Sequence, residues 1–256
     1  MLPCMTADAV SFCPHRVSVA PFSEAMLPGL ILEVAVNSLE RATAAERAGA
    51  HRLELCAALE VGGLTPDLEL IRQVSSVVQI PIQVMVRPRT GDFVYSADEF
   101  SQMKKSIKTI GAENVQGVVT GVLLSDGSVD IKRSRDLAAS ASPMQVTFHR
   151  AFDESRDLTA TLEDIVLTGA HRILTSGGAA DAHKGALILR SLIQKARNRI
   201  TILPGGGLHP GNIAEVARVT GARELHTGLG GVIRYSSADT PAFESAVRNC
   251  IASLGG

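Results

Sequence analysis

The 256-residue sequence contains no tryptophan, and its charges nearly cancel, with 25 Lys and Arg against 26 Asp and Glu. Such a balance supplies no long-range positive field, so nucleic acid is not expected as a partner. No uncharged apolar run approaches the roughly 18–20 residues of a membrane span, so a membrane is not expected either. The four cysteines show no CxxC pair and no repeated spacing, which excludes a disulfide framework or a local zinc motif and points to a reduced, cytoplasmic setting. No basic residue precedes Arg16 and no apolar run leads to a small-residue cleavage site, so the start does not read as a secretory signal.

With 45% hydrophobic and 20% charged residues, the chain nonetheless has ample aliphatic material for a core. Residues 1–28 hold Pro3, Pro14, Pro21 and Pro28 and follow neither a strand nor a helix period. They are expected to form a disordered leader, with Met26 a second candidate start. From residue 29 onward the texture changes. Strands are predicted at 30–36, 51–56, 80–87, 115–120, 144–149, 171–176, 200–203 and 223–227. Helices alternate with them at 38–48, 67–77, 97–110, 130–140, 158–168, 182–197, 211–219 and 240–252. A Gly-Ala pair recurs at Gly49, Gly111, Gly169 and Gly221, each time ending a helix just before an even-numbered strand. The spacing between these pairs covers two βα units, so residues 29–256 are predicted to be one domain of class α/β, a TIM (β/α)8 barrel, with a doubly wound open sheet as the alternative.

Strand parity separates the two faces. Leu32, Val34, Val36, Leu53, Leu55, Ile82, Val84, Val86, Val146, Phe148 and Leu225 fall on the face expected to meet the helices. The opposite face then carries Glu33, Arg52, Glu54, Cys56, Met85, Arg87, His149, Glu224 and His226, a polar set for a barrel interior. Buried charges must pair, and Arg87 is expected to pair with Glu33 or Glu54. A satisfied internal network and a polar site at the C-terminal rim both fit this pattern. Residues at strand ends, Cys56, Arg87, Arg89, His149, Arg150, Asp153, Ser176 and His226, favour the rim.

Glycines after the seventh predicted strand, Gly205, Gly206 and Gly207, suit a backbone cradle for a phosphate, and tight turning explains them equally well. Cys56 and Met85 end adjacent strands and offer soft sulfur to Cu(I), with His149 or His226 adding imidazole. Taken singly, each sulfur also reads as ordinary core filling.

At these residues the sequence resembles the CutC copper homeostasis protein family. The matching stretches are Glu54-Leu55-Cys56, Gly62-Gly63-Leu64-Thr65-Pro66, VMVRPRTGDFVYS (84–96), VTFHRAFD (146–153), RILTSGG (172–178), PGGG (204–207) and Glu224-Leu225-His226. The resemblance implies a cytoplasmic TIM barrel linked to copper handling. Thr227-Gly228 departs from the family pattern of a serine followed by a basic residue, and Ala35 stands where some relatives carry cysteine. Two functional expectations follow. One is a copper-binding protein using Cys56, Met85, His149 and His226. The other is a metal-independent enzyme acting on a small anionic metabolite, with Arg87 and Arg89 as anion clamps, His149 as general acid/base and Glu54 or Asp153 orienting it. A homo-oligomer is expected in either case.

Overall fold

Alternating apolar positions drive the chain into eight βα units, described for residues 29–255 in a computed structural model. The expected leader, residues 1–28, lies outside the described residues. The strands are β1 (Ile31–Val36), β2 (Arg52–Leu55), β3 (Ile82–Met85), β4 (Gly117–Thr120), β5 (Gln145–Phe148), β6 (Arg172–Thr175), β7 (Thr201–Pro204) and β8 (Glu224–Thr227). Between and after them run α1 (Leu39–Arg47), α2 (Leu68–Val77), α3 (Ala97–Ile110), α4 (Ile131–Ala141), α5 (Leu158–Val166), α6 (Ala186–Ala196), α7 (Ile213–Thr220) and α8 (Thr240–Ser253). All strand pairs are parallel, in the order β7-β6-β5-β4-β3-β2-β1-β8. A single bridge between Gly205 and His226 joins β7 to β8 and closes the ring. The open-sheet alternative is thereby excluded.

Helix starts follow local chemistry. Ser38, Asp67, Asp130 and Asp157 each accept a backbone N–H at a helix N-terminus, and Ser96 with Glu99 forms a reciprocal capping box on α3. Three of the four repeated glycines, Gly49, Gly169 and Gly221, turn the chain through the left-handed region. Gly111 instead keeps a helical φ of −65°. It is small because a Cβ there would crowd the Met144 methyl at 3.2 Å.

The outward residues predicted for β1, β2, β3, β5 and β8 do join the main core under the helices. Cys56, Met85 and Val119 form a separate cluster inside the barrel. Parity therefore holds, but the ionic pairing is not the expected one. Arg87 pairs with neither Glu33 nor Glu54, because it lies beyond the end of β3 and turns its guanidinium toward loop carbonyls. Arg52 takes the charge-pairing role: its Nε donates to Glu33 and its Nη2 to Glu224 at 2.7 Å, while Arg172 Nε reaches the same Glu224 oxygen at 2.8 Å.

Glu33 and Arg52 are almost wholly enclosed, so removing the cation leaves a buried carboxylate without its main partner. Arg52→Met is expected to destabilise the barrel by about 3–5 kcal/mol. Thermal unfolding should register this as a fall in Tm of about 10 °C.

Candidate functional site

The C-terminal ends of the strands surround a cavity of about 550 Å³. Its floor is made by Ala35, Glu54, Met85, Leu174 and His226, and its rim by the loops after β2, β3, β5, β7 and β8. Register explains the convergence: Ala35 pairs with Glu54, Glu54 with Gln83, and Glu33 with His226, so inward side chains of adjacent strands meet at one height.

At the centre lies a chain of titratable groups. His226 sits between two carboxylates, with Nδ1 2.8 Å from Glu33 and Nε2 3.5 Å from Glu54. Burial opposes a charged imidazole, yet the Glu54 charge and the Glu33 hydrogen bond outweigh it and raise the His226 pKa. Burial likewise works against the Glu33 carboxylate, but Arg52 and His226 hold its pKa well below the usual value. Glu54 has no such cation to itself. Burial pushes it up to about 7, and its Oε1 makes no hydrogen bond among the described residues. The fully buried Cys56 thiol is held protonated by desolvation first and by the Glu54 and Glu33 charges second.

His149 occupies the opposite wall. Its Nδ1 accepts the Ala151 N–H at 3.2 Å, which leaves the proton of the neutral ring on Nε2. That Nε2 is buried and makes no hydrogen bond among the described residues. Desolvation, then the Arg87 charge, lowers the His149 pKa to about 3. At neutral pH the ring is therefore uncharged, with its Nε2 proton unpartnered among the described residues. Gly121, just after β4, makes room for it: a Cβ there would stand 2.7 Å from Nδ1. A glycine immediately following a strand was the available signal for this seat.

The other expected residues separate into those that reach the cavity and those that do not. Arg87 lines it but is occupied, donating to the carbonyls of Val61, Gly63 and Gly91 at 3.2, 3.3 and 2.9 Å and lying over Phe93. It shapes the loops after β2 and β3. Arg89 does not reach the cavity. It is bound to Glu99 at 2.6 Å and Asp92 at 2.8 Å, because the turn at Gly91 brings those carboxylates back onto it. Asp153 does not orient His149. Its carboxylate accepts from Thr175, from the Ser176 and Gly178 amides and from Arg150 Nε, tying the loop after β5 to the loop after β6.

Gly206 and Gly207 line the cavity with φ of 99° and 71°, and their N–H groups donate to nothing among the described residues. Gly205 faces inward against Leu174 and closes the barrel through its bridge to His226. Two further cavity residues stand out. Arg150 projects a half-exposed guanidinium over Gly206, anchored by Asp153 and Ser176. Tyr235 presses its hydroxyl against Gly230, where a Cβ would be only 2.1 Å away. Arg150 stood in the TFHRAFD block as a rim residue without a role, whereas Tyr235 lies in a stretch with no strand period to place it.

A sequence profile of the CutC family matches residues 30–231, which spans β1 through the glycines after β8. The chain belongs to the CutC family. Among CutC relatives, a CutC family protein of Chromobacterium violaceum is 43% identical over 79% of this chain and 82% of its own length. A human protein named copper homeostasis protein cutC homolog is 42% identical over 77% of this chain and 72% of its own. The crystal structure of a CutC protein from Streptococcus agalactiae superposes with a TM-score of 0.74 at 29% identity, covering 77% of this chain and 98% of that one.

Because Glu54 is an acid whose pKa is raised by folding, its ionisation in the barrel costs stability as pH climbs from its unfolded value near 4.5 to about 7. Glu54→Gln is expected to remove that loss. The difference in Tm between variant and wild type should shift in the variant's favour, by several degrees, between pH 5 and pH 8 (order of magnitude).

Proposed function

We propose that this chain is a cytoplasmic copper-homeostasis protein that takes up Cu(I) as cargo at the C-terminal mouth of the barrel. The reading is supported by the names carried by its CutC relatives and rests on one observation: Met85, on the cavity floor, shares an apolar nest with the fully buried Cys56. Both flank Gly63, whose missing Cβ would lie 3.2 Å from the Cys56 sulfur and 3.3 Å from the Met85 methyl. Thiolate and thioether are soft donors that select Cu(I) over harder ions.

Among the described residues, no group of three His, Cys, Asp or Glu is placed to hold a metal together. The donor set is accordingly the sulfur pair. His226 has both ring nitrogens facing carboxylates, and the His149 nitrogen that faces the barrel carries the ring's proton, so neither imidazole is a ligand in this arrangement. Glu54, titrating near neutrality next to Cys56, passes the thiol proton on to solvent when the ion arrives. The buried free thiols Cys56 and Cys250 fit a reducing cytoplasm.

A Cu(I) competition titration tests the assignment. Cys56→Ser should abolish tight binding, Met85→Leu should weaken it, and Cys250→Ser should leave it unchanged. Since the Cys56 thiol pKa lies well above neutral, each bound ion displaces a proton, and affinity should rise about tenfold per pH unit between pH 6 and pH 8. Equal affinity of the wild type and Cys56→Ser would remove copper from this pocket.

The cavity volume favours a second reading. About 550 Å³ far exceeds one ion and falls within the ordinary range for a small-molecule site. In this reading the chain is a metal-independent enzyme for a small phosphorylated or carboxylate metabolite, held by Arg150 and the Gly206 and Gly207 amides, with Glu54 as acid/base. A three-carbon phosphate ester should then raise Tm, by an amount worth about 2.7 kcal/mol at a hundredfold excess over Kd. Arg150→Met should cancel the rise.

A further inference from the structure

The barrel has a second concavity, about 500 Å³, at its opposite, N-terminal mouth. It is walled by Ile31, Arg52, Gln83, Met144, Gln145 and Arg172, and among the described residues no Asp or Glu lines it. The two carboxylates that pair with its arginines approach from the β1 and β8 side, outside the lining. Their capacity is also divided. One oxygen of Glu224 accepts from both Arg52 and Arg172, at 2.7 and 2.8 Å, and Glu33 is shared between Arg52 and His226.

Two buried polar atoms beside this cavity make no hydrogen bond among the described residues: Arg172 Nη1 and Gln83 Oε1. Gln83 is 1% exposed, and its carboxamide lies where Gly117 lacks a side chain, 1.9 Å from the position a Cβ would take. Rotating the carboxamide by half a turn puts its amide donor at that position and turns its oxygen to the other side. Arg172 Nη1 and the NH2 groups of Gln83 and the half-buried Gln145 are then the donors of this recess, and no carboxylate among its described lining residues competes for them. A guanidinium arm with an open fork, flanked by neutral amides in a partly dry recess, suits one planar or tetrahedral oxyanion.

We propose that this N-terminal recess is an anion site that takes a small carboxylate or phosphate group on Arg172, Gln83 and Gln145. It is separated from the C-terminal pocket by the buried layers holding Glu33 and Glu54, so it stands or falls independently of the function proposed for that pocket.

Calorimetric titration of the full chain with inorganic phosphate, and separately with acetate, at constant ionic strength tests this. Arg150→Met is the background, so that the upper pocket's exposed guanidinium is absent. One saturable site is expected, weakened at least tenfold by Arg172→Gln and abolished by Gln145→Glu, which brings a carboxylate to the recess from its own wall. Should Arg172→Gln fail to fold, Gln145→Glu decides alone, because that side chain is at the rim and makes no ion pair. Tighter binding of phosphate identifies a phosphoryl group as the ligand, and tighter binding of acetate a carboxylate. Absence of saturable binding for both anions, or binding that survives Gln145→Glu, would overturn the proposal.

Discussion

The charge pairing of Arg52 with Glu33 and Glu224 is the constraint around which the barrel interior is organised. An interior is normally filled by branched aliphatic side chains, and substituting charges there is tolerable only if each finds a partner of opposite sign at short range. Arg52 satisfies that condition for two carboxylates at once, and Arg172 reinforces the second. With Glu33 held ionised from below, its other oxygen is available to His226, and His226 in turn faces Glu54. The protonation of the upper pocket therefore begins at the lower end of the barrel. Glu54, the last carboxylate in the series, has no cation of its own and is the one left to titrate near neutrality.

This arrangement distinguishes two kinds of polar residue that look alike in one dimension. Arg87 and Arg89 stand two positions apart, flanking a proline, and both read as anion clamps. In three dimensions each is engaged elsewhere, Arg87 by carbonyls of the loops after β2 and β3 and Arg89 by the carboxylates of Asp92 and Glu99. The guanidinium left partly exposed over the cavity belongs to Arg150, whose anchoring by Asp153 uses the edge of the fork and leaves its face over Gly206.

Much of the barrel was legible because strand parity is a local signal. Leu32, Val34 and Val36 against Glu33 and Ala35 declare two faces without reference to any other strand, and the same holds at Leu53 and Leu55 against Arg52 and Glu54. The Cys56–Met85 neighbourhood was legible for the same reason, since parity and adjacency sufficed. What parity does not encode is the partner of a long side chain. Arg87 depends on carbonyls at Val61 and Gly63, set by a loop whose path no period describes. The start of α6 was misplaced to 182 on similar grounds. Residues 179–185 carry helical composition, but the close approach of Gly185 to the Ser176 carbonyl, 1.8 Å from where a Cβ would lie, makes that stretch a turn and delays the helix to Ala186.

Asp153 acts as a rivet. By accepting from Thr175, Ser176, Gly178 and Arg150, it fuses the loops after β5 and β6 into a single piece of wall, and the Ala182 N–H bonded to the Gly206 carbonyl extends that piece to the loop after β7. Three successive loops thus form one continuous hydrogen-bonded wall. Across the mouth, Gly228, Gly230 and Gly231 contribute bare backbone, and the buried Leu229 among them bonds to Thr227, Val232 and Ile233 of the same segment. The mouth is thus built from two walls of different kinds, one cross-tied from loop to loop and one held by bonds within a single loop.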